Sequence, residues 1–226
     1  MRFSFATALI GVAALISTVS ADFYNRLNVN DTVFVLIDHQ TGLLNLVGDY
    51  QPDAFLNNVM GLAETAKYFN IPMIFATVLD KDPNGALLPS LKKLFPDAFS
   101  YQSPWDVPEF VKAIKDTGKK QLVIAGVVTD VCVAFTSLFA KEAGYEAFAV
   151  IDSSGTFNEA VRDDSWLRMQ AGGVQLMNWF SVACKLGRDR RHDITGMAVL
   201  FANRLPSYSH FMDSFNAAQA ALEGAK

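Results

Sequence analysis

IAGVVTDVCVAF, residues 124–135, changes its hydrophobic pattern half-way. Up to Gly126 it completes a continuous apolar run that begins after Gln121, β-branched and too short for a helix, which reads as a strand buried on both faces. Beyond Gly126 the apolar residues take helical spacing as far as Ala143 and stop at Gly144, with Asp130 placed as a cap and Cys132 in the first turn. A doubly buried strand running straight into a helix is half of a βαβ unit, so the fold is decided by whether the pair recurs.

It recurs on both sides. TVFVLID (32–38) reads as a buried strand followed by a helix over Asp53 to Tyr68, and PMIFATV (72–78) as a second strand followed by a short helix near Leu87 to Leu94. Pro108 to Thr117 is a helix that starts on proline and stops at Gly118. YEAFAVID (145–152) is a strand, Asn158 to Gln170 a helix, GVQLMNW (173–179) a strand, Trp179 to Leu186 a helix, and Ser207 to Leu222 an alanine-rich helix. FPDAFSYQSPWDVPEF (95–110) lacks periodicity and reads as a loop and a candidate pocket wall. Five strands alternating with helices predict a three-layer α/β/α fold with a mostly parallel sheet, and no repeat or low-complexity linker divides residues 22–226. In such sheets ligands bind beyond the carboxyl ends of the strands, the edge to which Asp38 and Cys132 are both delivered.

Composition narrows the function. A chain of 226 residues, 51% apolar and with a net charge of −4, suits one well-filled core. No block of Lys or Arg marks a nucleic-acid or anionic membrane partner, so a small-molecule substrate is expected. No strand leads into G-x-G-x-x-G, which excludes a dinucleotide site, and no C-x-x-C is present for thioredoxin-like redox work. His39, His192 and His210 are scattered, so neither metal nor other cofactor is expected.

MRFSFATALIGVAALISTVSA (1–21) has a basic start, an apolar run interrupted by Ser17, Thr18 and Ser20 before spanning length, and small residues before a cleavage point. It reads as a secretory signal peptide rather than an anchor. Asn30, Asp31 and Thr32 then form an N-x-T sequon open to glycosylation on a secreted chain. In an oxidising compartment the two cysteines, Cys132 and Cys184, are compatible with one disulfide, whereas a nucleophilic role requires Cys132 to stay reduced. The first turn of a helix favours thiolate through its unpaired N–H groups and dipole. Cys184, within SVACKLG, reads as a small buried hydrophobe.

VLIDHQTGLLNLVGD (35–49), GVVTDVCVAF (126–135) and DSSGTFNE (152–159) closely resemble the cysteine hydrolases of the isochorismatase-like family, and within it the YcaC-related group. YNRL (24–27), NNVMGLAETAKYFNIP (57–72), GKKQLVIAGVVT (118–129), QLMNWFSVACKL (175–186) and DITGMAVLF (193–201) extend the resemblance over nearly the whole chain after the leader. The resemblance implies homo-oligomers and a site of Asp, a basic residue and Cys. It makes Cys132 the nucleophile, Asp38 its base, and Val127–Val128 a non-proline cis peptide, with the Val128 and Cys132 N–H groups as oxyanion hole. The metal-binding cluster of the nicotinamidase branch has no counterpart. Gln40 is a candidate pocket residue or else a surface amide, and Trp105, with Phe99, Tyr101, Phe157 and Trp166, offers an aromatic wall.

One departure stands out. Relatives continue FPDA into a motif with a basic residue, but here the segment is shorter, Ser103 falls at that place, and no Lys or Arg occurs from Leu94 to Val111. Lys92 and Lys93 are the nearest substitutes in sequence. The expected function is hydrolysis of a small amide-like C–N bond through a thioester, the alternative being a weakened or silent relative that acts by binding.

Overall fold

The computed structural model describes residues 25–98, 100–102 and 107–224. Strands β1 (Thr32–Ile37), β2 (Met73–Thr77), β3 (Ser100–Gln102), β4 (Gln121–Gly126), β5 (Glu146–Val150) and β6 (Gln175–Met177) make a six-stranded sheet in the order β3-β2-β1-β4-β5-β6, every neighbouring pair parallel. Strands β1 and β4 are central and buried at every residue, which is why their sequences run apolar without alternation.

Successive residues on these strands face opposite layers. Phe34, Leu36, Val123 and Ala125 pack with α1 (Pro52–Tyr68), α2 (Pro89–Leu94), α6 (Trp179–Gly187) and α7 (Ile194–Arg204), through Leu62, Leu91, Trp179 and Phe201 among others. Val33, Val35, Ile37, Leu122 and Ile124 pack with α3 (Pro108–Asp116), α4 (Ala134–Glu142) and α5 (Glu159–Ala171), through Phe110, Ile114, Ala134 and Met169. The result is the expected α/β/α sandwich. Local signals set its ends: Asn158, Asn178 and Asp193 accept from Val161, Ser181 and Gly196 N–H groups, each a helix N-cap.

Three expectations need correction. The segment read wholly as loop contains β3, a three-residue edge strand too short to show a period. Helix α7 was not expected as an element, although Met197, Ala198, Leu200 and Phe201 hold its buried face. The helix expected from Asp130 begins instead as a π turn over Thr129–Val133, and α4 starts only at Ala134. The tail helix is present as α8 (Pro206–Gly224), has no buried residue, and leaves Phe211, Phe215 and Leu222 exposed. Residues 1–24, which hold the expected leader, lie outside the described residues, as do Phe99, Ser103 and Trp105. Among the described residues no helix is long and apolar enough to cross a membrane.

Gly126 closes β4 opposite Ile37. A Cβ there would fall 2.5 Å from the Ile37 carbonyl oxygen and 3.0 Å from its Cβ, so the two central strands would have to separate at their carboxyl ends. Gly126→Ala is therefore expected to lose about 1–3 kcal/mol of stability in denaturant titration.

Candidate active site

Strand β1 ends by turning sharply. Asp38 has φ +56°, a left-handed conformation that Asp tolerates better than most residues, while its N–H still donates to Ala76 O at 2.8 Å. Its side chain is thereby turned off the sheet edge and is 1% exposed. Strand β4 ends differently: the Val127–Val128 peptide is cis, as the resemblance implied, Val127 N–H donates to Ile37 O at 3.1 Å, and Thr129 N–H donates to Gly155 O at 3.0 Å. The π turn follows, closed by Val133 N–H on Val128 O at 3.3 Å, and carries Cys132. Because Ile37 pairs with Gly126, the two chain ends emerge side by side and the Asp38 carboxylate meets the Cys132 thiol.

Electrostatics then favour one protonation state. Burial pushes Asp38 up to about 6, opposed by hydrogen bonds from the Cys132 thiol and the Val78 N–H. Burial, followed by the charge of Asp38 and the hydrogen bond to it, pushes Cys132 up to about 12; the Val128 N–H pulls the other way and Asp130 adds to the rise. At neutral pH the resting pair is therefore a protonated thiol against an ionised carboxylate. This corrects the expectation that the turn itself favours thiolate: desolvation and the neighbouring carboxylate outweigh what the N–H groups offer. One carboxylate oxygen, Asp38 Oδ1, is buried without a hydrogen-bond partner among the described residues.

Surrounding side chains brace this pair. Gln40 is fully buried: its Nε2 donates to Val78 O at 3.0 Å and Gly85 O at 2.5 Å, and its Oε1 accepts from Val78 N at 3.0 Å. It is no surface amide, and it ties the loop after β2 to the end of β1. Asp130 is not an N-cap; its carboxylate accepts the Thr156 hydroxyl at 2.6 Å, while the Thr156 N–H donates to Asp49 Oδ1 at 2.8 Å. Sequence reasoning used DSSGTFNE only for its resemblance and missed Thr156, whose place just after β5 was the available signal. His39, next to Asp38, points elsewhere: its buried Nε2–H donates to Ser153 O at 2.9 Å, and burial lowers its pKa to about 4, so it is neutral at pH 7.

Other expected residues are dispersed. Cys184 is exposed on α6 rather than buried, and no disulfide joins it to half-buried Cys132, which packs against the opposite layer. Lys92 and Lys93 are exposed, with Lys92 Nζ donating to Ala98 O at 3.0 Å, so neither turns toward Asp38. Phe157 is 49% exposed. Trp166 lies under the Arg162 guanidinium, 4.6 Å from the ring centroid. An open groove of about 540 Å³, lined by Asp130, Val131, Phe135, Val161 and Arg168, runs along the outside of the cysteine turn and is not lined by Cys132 or Asp38. Among the described residues no three His, Cys, Asp or Glu side chains cluster as a metal site.

The isochorismatase domain model matches residues 32–180, the span that contains every element of this edge. The chain belongs to the isochorismatase family. Within the family it is 53% identical to Probable hydrolase YcaC of Escherichia coli (strain K12) over 198 residues, covering 85% of this chain and 95% of that one. The crystal structure of the E. coli YcaC gene product, described as an octameric hydrolase of unknown specificity, superposes with a TM-score of 0.84 at 54% identity over 86% of this chain and 98% of that one. YcaC from Pseudomonas aeruginosa, solved with hexane-2,5-diol and covalent acrylamide, matches at 53% identity and a TM-score of 0.84 over 85% and 98%. A Caenorhabditis elegans ribonuclease, 18% identical with a TM-score of 0.67, shares the fold.

The raised Asp38 gives a stability test with a definite sign. Between its ordinary 3.8 and about 6 the folded chain holds this proton more tightly than the unfolded chain, so burying Asp38 costs stability that grows as pH rises through that window and is constant above it. Asp38→Asn is expected to be more stable than the parent at pH 8, by up to about 3 kcal/mol, with the difference closing as pH approaches 4. Thermal melts of both proteins across pH 4–8 measure it.

Proposed function

We propose that this isochorismatase-family hydrolase cleaves a C–N bond in a small amide-like substrate through a thioester on Cys132. The observation that carries the reading is the buried Asp38 side chain held against the Cys132 thiol with the Val128 N–H facing the sulfur. The thiol proton passes to Asp38 as sulfur attacks the carbonyl carbon, and the oxyanion is held by the Val128 and Cys132 N–H groups. Asp38 returns the proton to the leaving nitrogen, and the amine departs. Water then attacks the thioester while Asp38 takes its proton, and the carboxylic acid leaves with the thiol restored. No cofactor is needed. Covalent acrylamide on the P. aeruginosa relative supports a nucleophile strong enough to add to an activated alkene.

Gln40 serves this site by holding the loop after β2, and Trp105, outside the described residues, is proposed as a substrate contact. The octameric E. coli relative supports a homo-oligomer. Secretion with a leader at 1–21 completes the reading, with Asn30, exposed at the surface, as acceptor for N-glycosylation. A second reading, a silent binding protein, is favoured by one observation: neither Lys92 nor Lys93 reaches Asp38, and the loop beyond them contains no cation.

Two measurements decide between them. Cys132→Ala should lower turnover on the order of 10³-fold or more without unfolding the protein, whereas Cys184→Ala should leave turnover intact. Alkylation of Cys132 should climb as pH rises through about 6, where Asp38 becomes able to accept the proton, and then level off. An ordinary thiol climbs instead toward its pKa of about 8.5. A Cys132 profile of that ordinary kind would remove Asp38 as base and favour the silent protein.

A further inference from the structure

Among the described residues the buried carboxylate at the sheet edge has no charge partner. Asp38 is 1% exposed, its Oδ1 has no hydrogen-bond partner among the described residues, and what does touch the side chain is a neutral thiol and one backbone N–H. A second carboxylate, Asp130, sits two residues from the thiol and adds to its negative surroundings. A buried anion of this kind is ordinarily compensated by a cation or by full hydrogen bonding.

Among the described residues none offers that cation. Lys92 is engaged with Ala98 O, Lys93 is exposed, and Arg162 lies over the Tyr50 and Trp166 rings and pairs with Asp163. Whatever course residues 103–106 follow, they add Asp106 and no Lys or Arg.

We propose that the substrate itself supplies the charge: an amide-like compound bearing an alkylammonium or guanidinium group that seats against Asp38 Oδ1. This rests on the nucleophilic role of Cys132 and names the substrate class for it. The two carboxylate oxygens then divide the work, one taking the thiol proton and the other holding the cation. As the proton moves to Asp38, negative charge moves from the carboxylate to sulfur and on to the oxyanion, and a cation beside both compensates each in turn. A neutral substrate leaves Oδ1 unpaired, and an anionic one is repelled.

Three alkylating agents of similar size test the charge preference on the intact protein: 2-bromoethylammonium, iodoacetamide and iodoacetate. In each, sulfur displaces halide and the thiol proton leaves through Asp38 to solvent. Peptide mass spectrometry gives the rate at Cys132 and at Cys184, each divided by the same reagent's rate with 2-mercaptoethanol. At Cys132 the normalised rate for the cation should exceed that for the neutral reagent by about tenfold or more, with the anion slowest, and Asp38→Asn should flatten the series. Cys184 serves as the internal reference. If Cys132 shows the Asp38-linked pH profile but no preference for the cation, the substrate class is wrong and the nucleophile stands. If Cys132 takes up none of the reagents, or titrates as an ordinary thiol, the nucleophile falls and the inference falls with it. The series on the parent protein decides the matter even if Asp38→Asn fails to fold.

Discussion

Pairing between β1 and β4 is the constraint on which the site depends. Thr32 lies opposite Gln121 and Ile37 opposite Gly126, six residues of unbroken parallel register at the centre of the sheet. A slip of one residue would turn one strand's core residues to the wrong layer and set Asp38 and Cys132 on different levels. Thr32 Oγ1 and Gln121 Oε1, 3.2 Å apart, lock the amino end of that register, and the absence of a Cβ at Gly126 lets the carboxyl end close tightly.

Burial does the rest of the chemical tuning, and it acts on both partners in the same direction. Each group loses water, each therefore prefers its neutral form, and only one of them can keep a charge at pH 7. The carboxylate keeps it because its ordinary pKa starts far lower. The thiol is thus a latent nucleophile, activated during attack rather than stored as thiolate, and the bracing by Gln40, Asp130 and Thr156 matters because proton transfer depends on the contact between two short side chains.

Much of this architecture is legible in the sequence, for identifiable reasons. TVFVLI and QLVIAG announce central strands because burial on both faces removes alternation, and Pro108 announces a helix start because its fixed φ suits the first turn. The location of Asp38 and Cys132 at one sheet edge follows from the shared direction of parallel strands, since each residue lies just past a strand's carboxyl end. The π turn was not legible, since a shift from i→i−4 to i→i−5 bonding leaves no period in the residues. Nor was the protonated thiol, because it is set by desolvation and by a carboxylate distant in the chain. Gln40 left two readings open because an amide is equally suited to solvent or to buried backbone, and only the course of the loop after β2 decides.

The central pairing also has a temporal meaning. Thr32 and Gln121 are separated by 89 positions, and α1, β2, α2, β3 and α3 lie between the strands they belong to. Contacts of such long range form late and slowly. Until they form, Cys132 is a solvated cysteine without Asp38 at hand. The reactive couple thus comes into being with the folded domain itself, and the unfinished chain carries no special thiol to misfire.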